Sequence, residues 1–185
     1  MSKAVLISIR PKWVEKIANG EKTIEVRKTR PKLETPFKCY IYCTQDKHLA
    51  FMQNQTGTNL IACMDVNAAI PVGGAIGNGK VIGEFTCDRI YELAPLNHAP
   101  DDVEKQACLT REEIVNYLKG TGHGWHISDL LIYDEPRELT KFRRACPNSW
   151  YCESCAMYWE NNGTCGNESL YIKRPPQSWC YVEEG

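Results

Sequence analysis

Short segments of β-forming residues recur along this chain, separated by turns rich in glycine and proline. The clearest are VLISI at 5–9, FKCYIYC at 37–43, GKVIGEFTCDRIYEL at 79–93 and HISDLLIYDEP at 126–136. β-Branched and aromatic residues favour the pleated surface of a sheet. Strand-like segments outnumber helical ones, and they do not alternate regularly with helices as in a doubly wound sheet. The chain is therefore expected to fold mainly around β-sheet.

Two segments carry the signals of helix ends. In PKWVEKIANG, Pro11 suits a first helical position and Gly20 suits the residue after the last turn. Farther along, Thr110 and Glu113 form a capping box, in which each side chain bonds the backbone N–H of the other residue. The first signal predicts a short helix after the first strand. The second predicts a helix that stops at Gly120.

The remaining segments complete the expected outline of the fold. Residues 44–79 are rich in turn residues, and only LIACMDV within them resembles a regular element. Gly83 lies inside the 79–93 segment, where a glycine marks a bend or bulge, and Pro136 is expected to end the strand before it. SWCYVEE near the end of the chain predicts a closing strand. We expect an α+β fold: a small, mixed, mostly antiparallel β-barrel, partly open, with flanking helices.

Length and composition fit one folded domain. The chain has 185 residues, of which 43% are hydrophobic and 24% charged, and domains usually run ~100–200 residues. We expect a single domain over 1–185, with a cysteine-rich insertion at 141–175 and the closing strand within 176–185. No run approaches the ~18–20 apolar residues of a membrane span, and the first residues lack a secretory signal. A cytoplasmic protein with no membrane partner is expected.

Positive charge is concentrated at one end of the sequence. Residues 1–47 hold 11 Lys and Arg against 5 Asp and Glu, a balance of +6, although the formal net charge of the chain is -1. A one-sided basic region attracts phosphate even when the total charge is near zero. Charges scattered over a solvated surface explain the composition equally well.

The stretch NGEKTIEVRK at 19–28 places five charged side chains beside a strand pattern. Side chains alternate across a strand, so Glu25 and Arg27 share one face while Ile24 and Val26 face the core. A carboxylate beside a guanidinium fixes its orientation, and a fixed Arg reads phosphate or a base edge well. The alternative is an exposed Glu–Arg pair worth only ~0–1 kcal/mol.

Gly20, Lys22, Glu25 and Arg27 fall in the pattern G-x-K-x-x-E-x-R, after a strand and a short helix. This pattern resembles the signature of the ASCH family, and SIRPKWVEKIANGEKTIEVR resembles the opening strand–helix–strand of that family. GKVIGEFTC and HISDLLIYDEPREL resemble its bacterial and phage-type members, so the resemblance covers most of residues 4–140. It implies a PUA-like β-barrel whose signature lines a cleft. It also implies binding of RNA or another nucleic acid, with Lys22 and Arg27 on phosphate or base.

Some members of the family are enzymes, which leaves catalysis open. The amidohydrolases that deacetylate acetylcytidine use a Lys, a Thr three residues later and a distant Glu. Lys22 matches the Lys, but Glu25 occupies the position of the Thr, and a carboxylate does not replace an activated hydroxyl. Thr23 is out of register, and Glu104 falls only roughly where the third group would lie. A ribonuclease stays open, because Lys22, Glu25 and Arg27 suit acid–base and phosphate roles.

Five of the ten cysteines crowd the end of the chain. Cys146, Cys152, Cys155 and Cys165 have the spacing C-x5-C-x2-C-x9-C, and its C-x2-C half is usual in zinc knuckles. Reducing cytosol disfavours disulfides, so we expect one closed, structural zinc site with these four ligands. Cys180, in the closing strand, is expected in the core or as a replacement for Cys146. A redox pair and unligated buried thiols are the alternatives.

Trp125 lies between two histidines in the stretch GHGWHISD. One expectation is a turn that opens onto the cleft and offers Trp125 as a surface for base stacking. The equally weighted alternative packs Trp125 in the core and leaves His123 and His126 solvated. A metal held by the two histidines lacks a third ligand at motif spacing. Trp13 is expected to pack the first helix on the barrel.

Three functions are compatible with these features. The first is a nucleic-acid-binding ASCH module, RNA favoured, with a site of Lys22, Glu25, Arg27 and Trp125 and a structural zinc. The second is a nucleic-acid-processing enzyme in the same cleft, either a ribonuclease or a modified-nucleoside amidohydrolase, with Lys22 and Glu25 as catalytic groups. The third is a phage-type protein-interaction module. A phosphate-dominated binder loses affinity steeply with salt, whereas a nucleoside hydrolase acts on small substrates with little salt dependence.

Overall fold

The computed structural model describes residues 3–54, 60–63, 74–93, 98–146, 153–162 and 165–183. Its strands are β1 (Lys3–Ile9), β2 (Ile24–Arg27), β3 (Phe37–Cys43), β4 (Leu49–Asn54), β5 (Leu60–Cys63), β6 (Gly74–Ile76), β7 (Lys80–Cys87), β8 (Ile90–Glu92), β9 (His123–His126), β10 (Ser128–Glu138) and β11 (Trp179–Glu183). Its helices are α1 (Pro11–Ala18), α2 (Val103–Ala107), α3 (Arg111–Leu118) and α4 (Ala156–Glu160). Short 3-10 turns cover Leu139–Lys141 and Glu168–Leu170.

The strands form three sheets. The largest has the order β10-β7-β3-β1-β11, and the others have the orders β2-β9-β8 and β5-β4-β6. Within the largest sheet β1 and β3 run parallel, and the other neighbours are antiparallel. The mixed, strand-rich α+β class is therefore confirmed. Over the described residues the three sheets do not join into a closed barrel.

The hydrophobic core covers both faces of the largest sheet. Alternation along β1 sends Val5 and Ile7 to one face and Leu6 to the other, and all three are fully buried. α1 packs on the first face through Val14 and Ile17. Such burial of apolar surface is the main force that fixes the layers, at about 25 cal/mol per Å².

A third cluster positions the candidate site. Ile24 and Val26 of β2 pack against α2 and α3, where Val103, Ile114 and Leu118 are buried. Both apolar side chains of β2 therefore face the helices, as the alternation predicted. α2 itself was not predicted, because its five residues carry no strong periodic signal.

Two strand predictions need correction. The 79–93 segment is not one strand: β7 ends before Asp88, and β8 belongs to the β2-β9-β8 sheet. Gly83 does lie beside a register shift between β3 and β7, and a side chain there would collide with the carbonyl oxygen of Leu131. Pro136 does not end β10, since the strand continues to Glu138 and accommodates the proline within a register shift.

The other predicted elements are confirmed where they fall within the described residues; the segment LIACMDV forms β5 over its first four residues, and the rest of it lies outside them. α1, β3 and the helix after Thr110 all form, and β11 pairs with β1 as the closing strand. The capping box is complete, with Thr110 and Glu113 each accepting from the backbone N–H of the other. None of the helices in the described part of the chain is long and apolar enough to cross a membrane.

Candidate functional site

The turn after α1 delivers Lys22 to the start of β2. Gly20 has a φ of +74°, a left-handed conformation that glycine adopts without steric cost. The backbone N–H groups of Gly20 and Lys22 donate to Ile17 and Lys16, which folds the turn back on the helix end. Thr23 then bonds Gln106 of α2 through its backbone N–H. Hydrogen bonds to α1 and to α2 therefore fix the start of β2 from both sides.

Glu25 lies between two cations. Its Oε1 is 2.9 Å from Nη2 of Arg27, and its Oε2 is 3.5 Å from Nζ of Lys22. Lys22, Glu25 and Arg27 expose 2%, 6% and 8% of their surfaces. The alternative of a solvated surface pair is therefore wrong. The triad carries a formal charge of +1 inside the protein.

Main-chain carbonyls complete the coordination of the two cations. Lys22 Nζ donates to the carbonyl oxygen of Ala107 at 2.6 Å. Arg27 Nη2 donates to the carbonyl of Ser8 at 2.7 Å, and its Nη1 donates to Oγ of Ser178 at 3.3 Å. Arg27 Nε is buried without a hydrogen-bond partner among the described residues. Both cations are held in fixed positions by bonds from distant parts of the chain.

The triad forms part of the lining of a cavity of about 680 Å³. The residues around it come from β1, α1, β2 and α3, from the loops next to these elements and β3, and from the segment before β11: Ser8, Ile9, Arg10, Trp13, Lys22, Glu25, Val26, Arg27, Thr44, Leu109, Glu113, Tyr117, Pro175, Pro176 and Gln177. The volume lies within the ~300–1,000 Å³ usual for small-ligand sites. The cleft that the ASCH resemblance implied is thus present beside Lys22, Glu25 and Arg27.

One wall of the cleft comes from the C-terminal part of the chain. The hydroxyl of Ser8 donates to the carbonyl oxygen of Pro176 at 2.7 Å, and its backbone N–H donates to Ser178 at 2.9 Å. Trp179 adds a bond from its ring N–H to Thr29 at 3.1 Å. These contacts join residues more than a hundred positions apart, so no local sequence pattern predicts this wall.

Aromatic rings with cations above them stand at the cleft. Nζ of Lys22 lies 5.2 Å from the ring centroid of Trp13, and Lys12 lies 4.7 Å from it on the same helix. Tyr117 of α3 is 44% exposed and has Lys28 at 5.3 Å from its ring. Each arrangement suits a cation–π contact. Trp13 is therefore a cleft residue as well as a packing residue.

Sequence reasoning missed the face of α3 that lines the cleft. Glu113 and Tyr117 are four residues apart and line the cavity, while Ile114 and Leu118 point to the core. This is the ordinary two-sided pattern of a helix. The signal that could have identified this outward face was the helical spacing counted from the capping box at Thr110.

Trp125 requires a correction. It is fully buried and packs against Phe37 and Trp179, with ring centroids 6.0 Å apart in each pair. It therefore offers no face to a base, and the core alternative is the one found. His123 and His126 each lie beside a carboxylate instead of sharing a ligand.

The weaker catalytic candidates lie elsewhere. The hydroxyl of Thr23 faces the side chain of Gln106 at 3.3 Å. Glu104 is exposed on α2 and accepts from the backbone N–H of Arg111 at 2.6 Å. Neither Thr23 nor Glu104 is part of the cavity lining. Glu104 therefore does not take the place of the distant catalytic Glu that the amidohydrolases use.

The cysteine-rich segment is described only in part. Cys146, Cys155 and Cys165 are free thiols with partial or full exposure, while Cys152 lies outside the described residues. Within the described ranges, no three His, Cys, Asp or Glu side chains are close enough to hold a metal. The three described thiols therefore do not form a ligand group by themselves, and the four-cysteine zinc site stays a prediction.

Cys180 has the environment of a packed residue. It lies in β11 and is half-buried against the cluster around Leu6 and Tyr42. Burial raises the pKa of its thiol, which the nearby Arg144 lowers to a smaller extent. Because metals bind the thiolate, this environment fits a core thiol better than a ligand.

Comparison with solved structures identifies the fold. The chain is similar to the crystal structure of a point variant of the ASCH protein from Zymomonas mobilis, with 16% identity, 99% of this chain and 92% of that chain covered, and a TM-score of 0.55. A second variant of that protein gives 15% identity, coverage of 98% and 89%, and a TM-score of 0.50. No protein-family model and no curated protein matches the sequence. At these identities the likeness shows the fold alone: the chain folds like that ASCH protein, as the sequence resemblance implied, although the three sheets of the described residues do not close into the β-barrel that was also expected.

Proposed function

We propose that this chain, which has the ASCH fold, binds single-stranded nucleic acid in its cleft, with RNA as the principal ligand. The observation that carries the proposal is the buried, net positive triad of Lys22, Glu25 and Arg27 beside a cavity of about 680 Å³. Burying two cations is costly unless they are paired and hydrogen-bonded. Retaining them at a cavity suits a site that binds an anionic or strongly polar ligand.

The size of the cavity favours a single strand. A duplex is recognised along its grooves by elements that lie on its surface, whereas an unstacked nucleotide inserts into a pocket. A cavity of about 680 Å³ has the size of small-ligand sites. It therefore suits one or a few nucleotides of a single strand.

The rim supplies the two kinds of contact that such ligands use. Arg10 and Lys12 are exposed cations beside the cleft, and they suit the phosphate backbone. Tyr117 is the exposed aromatic ring, and aromatic rings stack bases at about 1–3 kcal/mol each. Tyr117 takes the stacking role that the sequence had assigned to Trp125.

Salt-dependent binding and cross-linking test the proposal. A fluorescent single-stranded RNA should bind with an affinity that falls steeply between about 50 and 200 mM salt, since counterions are released from phosphate. Ultraviolet cross-links should map to the α1–β2 region and to Tyr117. Lack of binding to any single-stranded RNA or DNA at low salt would contradict the proposal.

A second candidate is hydrolysis of nucleic acid in the same cleft. The observation that favours it is the ion pair of Lys22 and Glu25 beside the cavity, because such pairs serve as acid–base groups in enzymes. The hydroxyl of Ser8 is committed to Pro176, and Glu25 replaces a nucleophilic hydroxyl. We therefore expect binding without deacetylation of acetylcytidine.

The same preparation distinguishes the two candidates. Incubation with acetylcytidine and with single-stranded RNA should leave both intact over the time in which binding reaches equilibrium. The enzyme would become the first candidate if the protein turned over either substrate, if Lys22→Met abolished that turnover, and if the control variant Lys141→Met retained it.

The cysteine-rich segment is proposed to hold a structural zinc. The spacing of Cys146, Cys152, Cys155 and Cys165 supports it. The backbone N–H of Ile172 donates to the carbonyl oxygen of Phe142 at 2.8 Å, and both side chains belong to the main core, which anchors the base of the segment. Cys146, Cys155 and Cys165 are not among the residues that line the cleft, so such a site would have a structural role.

A further inference from the structure

Residues 175–177, which form one wall of the cleft, lie between two groups of exposed cations. Lys173 and Arg174 directly precede this wall in the sequence. Lys28 stands near its other end, with its Nζ 5.3 Å from the ring centroid of Tyr117, another residue of the cavity lining. Positive charge therefore flanks the cavity on two sides.

The segment 28–32 runs beside the residues that follow this wall. The ring N–H of Trp179 donates to the hydroxyl of Thr29 at 3.1 Å. Two residues farther along β11, the hydroxyl of Tyr181 accepts from the backbone N–H of Lys32 at 2.7 Å. The side chain of Lys32 is exposed. The positive charge of this segment therefore continues beyond the cleft, on the side opposite to the first group.

Four of these cations are available to an anion from outside the chain. Among the described residues, no carboxylate forms an ion pair with any of the four, which we call the flanking cations: Lys28, Lys32, Lys173 and Arg174. Arg30 differs, because its Nη1 faces Oε1 of Glu92 at 3.9 Å. It is therefore directed toward β8 and is not counted with them.

The side of the cleft formed by α2 and α3 has the reverse charge. Residues 101–113 contain five Asp and Glu against two Lys and Arg, whereas 27–32 and 172–178 together contain six Lys and Arg and no Asp or Glu. Glu113 lines the cavity itself and accepts from the backbone N–H of Thr110 at 2.8 Å. A polyanion is therefore repelled from the helix side and attracted to the flanking cations.

We propose that a strand of several nucleotides places one nucleotide in the cleft and crosses residues 175–177, with its phosphates on the flanking cations at both ends of this wall. This inference rests on the proposed function and names the surface over which the strand leaves the cleft. Phosphate contacts of this kind fix the position of a strand and read no sequence. A free nucleotide has its phosphate at one end only, so it reaches one group of flanking cations and not both.

The salt dependence of binding measures these contacts. For a single strand, the logarithm of the binding constant falls with the logarithm of the salt concentration by about 0.7 for each phosphate that is neutralised. The variant pair Lys173→Gln with Arg174→Gln should therefore lower this slope by about 1.4. It should also weaken binding of a fluorescent RNA of about 8 nucleotides roughly tenfold at about 0.15 M salt. The pair Lys28→Gln with Lys32→Gln should have the same effect.

A control pair separates local contacts from net charge. Lys105→Gln with Lys141→Gln removes the same charge from two exposed positions outside 27–32 and 172–178. This pair should retain the slope and the affinity of the unaltered protein. Thermal unfolding checks that every pair keeps the fold. If a pair is unstable, the single variants Arg174→Gln and Lys32→Gln replace it, each with an expected change in slope of about 0.7.

Each outcome decides the inference. Flanking variants that bind the strand with the slope and affinity of the control pair overturn it and leave the proposed function standing. An equal loss in the control pair also overturns it, because net charge alone would then account for the effect. Uridine monophosphate that binds the unaltered protein as tightly as the strand does would show that the flanking cations contribute nothing. Absence of binding to every strand overturns both the inference and the proposed function.

Discussion

Lys22 and Ala107 are 85 positions apart in the sequence, yet the ammonium of one donates to the carbonyl oxygen of the other at 2.6 Å. Ala107 is the last residue of α2, where carbonyl oxygens lack partners within the helix and carry partial negative charge. The bond therefore fixes the lysine at the entrance to β2 and joins the helix layer to the triad. With Glu25 it accounts for how a lysine is stable at 2% exposure.

Glu25→Gln should destabilise the protein. The change removes the negative charge between Lys22 and Arg27, and breaking one partner of a buried ion pair costs about 3–5 kcal/mol. Urea unfolding should show this loss. Glu138→Gln, which alters an exposed pair with Lys80 at 3.2 Å, should cost less than about 1 kcal/mol. Equal unfolding midpoints for the two variants would disagree with a buried triad.

Thr110→Ala should loosen the helix that carries Tyr117. The threonine hydroxyl accepts from the backbone N–H of Glu113, and loss of such a cap costs about 1 kcal/mol. Thr140→Ala, in the exposed 3-10 turn, is the matched control and should change stability little. Thermal unfolding of both variants measures the difference. A stable Thr110→Ala variant would show that the tertiary contacts of α3 suffice without the cap.

Glu84 should contribute to an acid-dependent loss of stability. Burial raises the pKa of this carboxyl, but the hydrogen bonds from Tyr133 and Lys38 together lower it by more. The pKa of Glu84 therefore lies below its ordinary value of 4.5. A carboxyl with a lower pKa in the folded state stabilises the protein above its unfolded pKa. That contribution is lost as the pH falls through its folded pKa.

Unfolding measured from neutral pH down to about 3 tests this assignment. Glu84→Gln should lower stability at neutral pH and make its decline in acid shallower. Glu135→Gln, an exposed change on β10, should show the same decrease of stability with falling pH as the unaltered protein. Identical acid profiles for all three proteins would remove Glu84 as the cause.

Zinc analysis tests the cysteine-rich segment. Protein purified under reducing conditions should contain one zinc per chain, held by sulfur at about 2.3 Å. Cys155→Ser should lose the metal and Cys180→Ser should keep it. Chelation should expose 146–170 to protease while the sheets survive, because metal binding offsets the ordering entropy of that segment. Metal-free protein with paired disulfides would contradict the site.

Local sequence patterns predicted much of the secondary structure, but they did not predict the contacts between residues that are far apart in the sequence. The strand alternation placed Glu25 and Arg27 together, and the cap placed the start of α3, because both effects act over a few residues. Trp125 was ambiguous because a strand pattern does not show which side another layer will cover. The wall at Pro176 depends on closure by β11 against β1, which no spacing within either segment reports.

Binding of single-stranded RNA to Arg27 variants tests the central claim most directly. Arg27→Ala should weaken binding about tenfold or more while the protein stays folded, since charge-assisted bonds to a ligand are lost. Arg27→Lys restores the positive charge but not the fork geometry, so it should recover only part of the lost affinity. Arg137→Ala, an exposed change on β10, is the control and should retain the affinity of the unaltered protein. Equal RNA affinity for the unaltered protein and folded Arg27→Ala would contradict the assignment of this cleft as the nucleic-acid site.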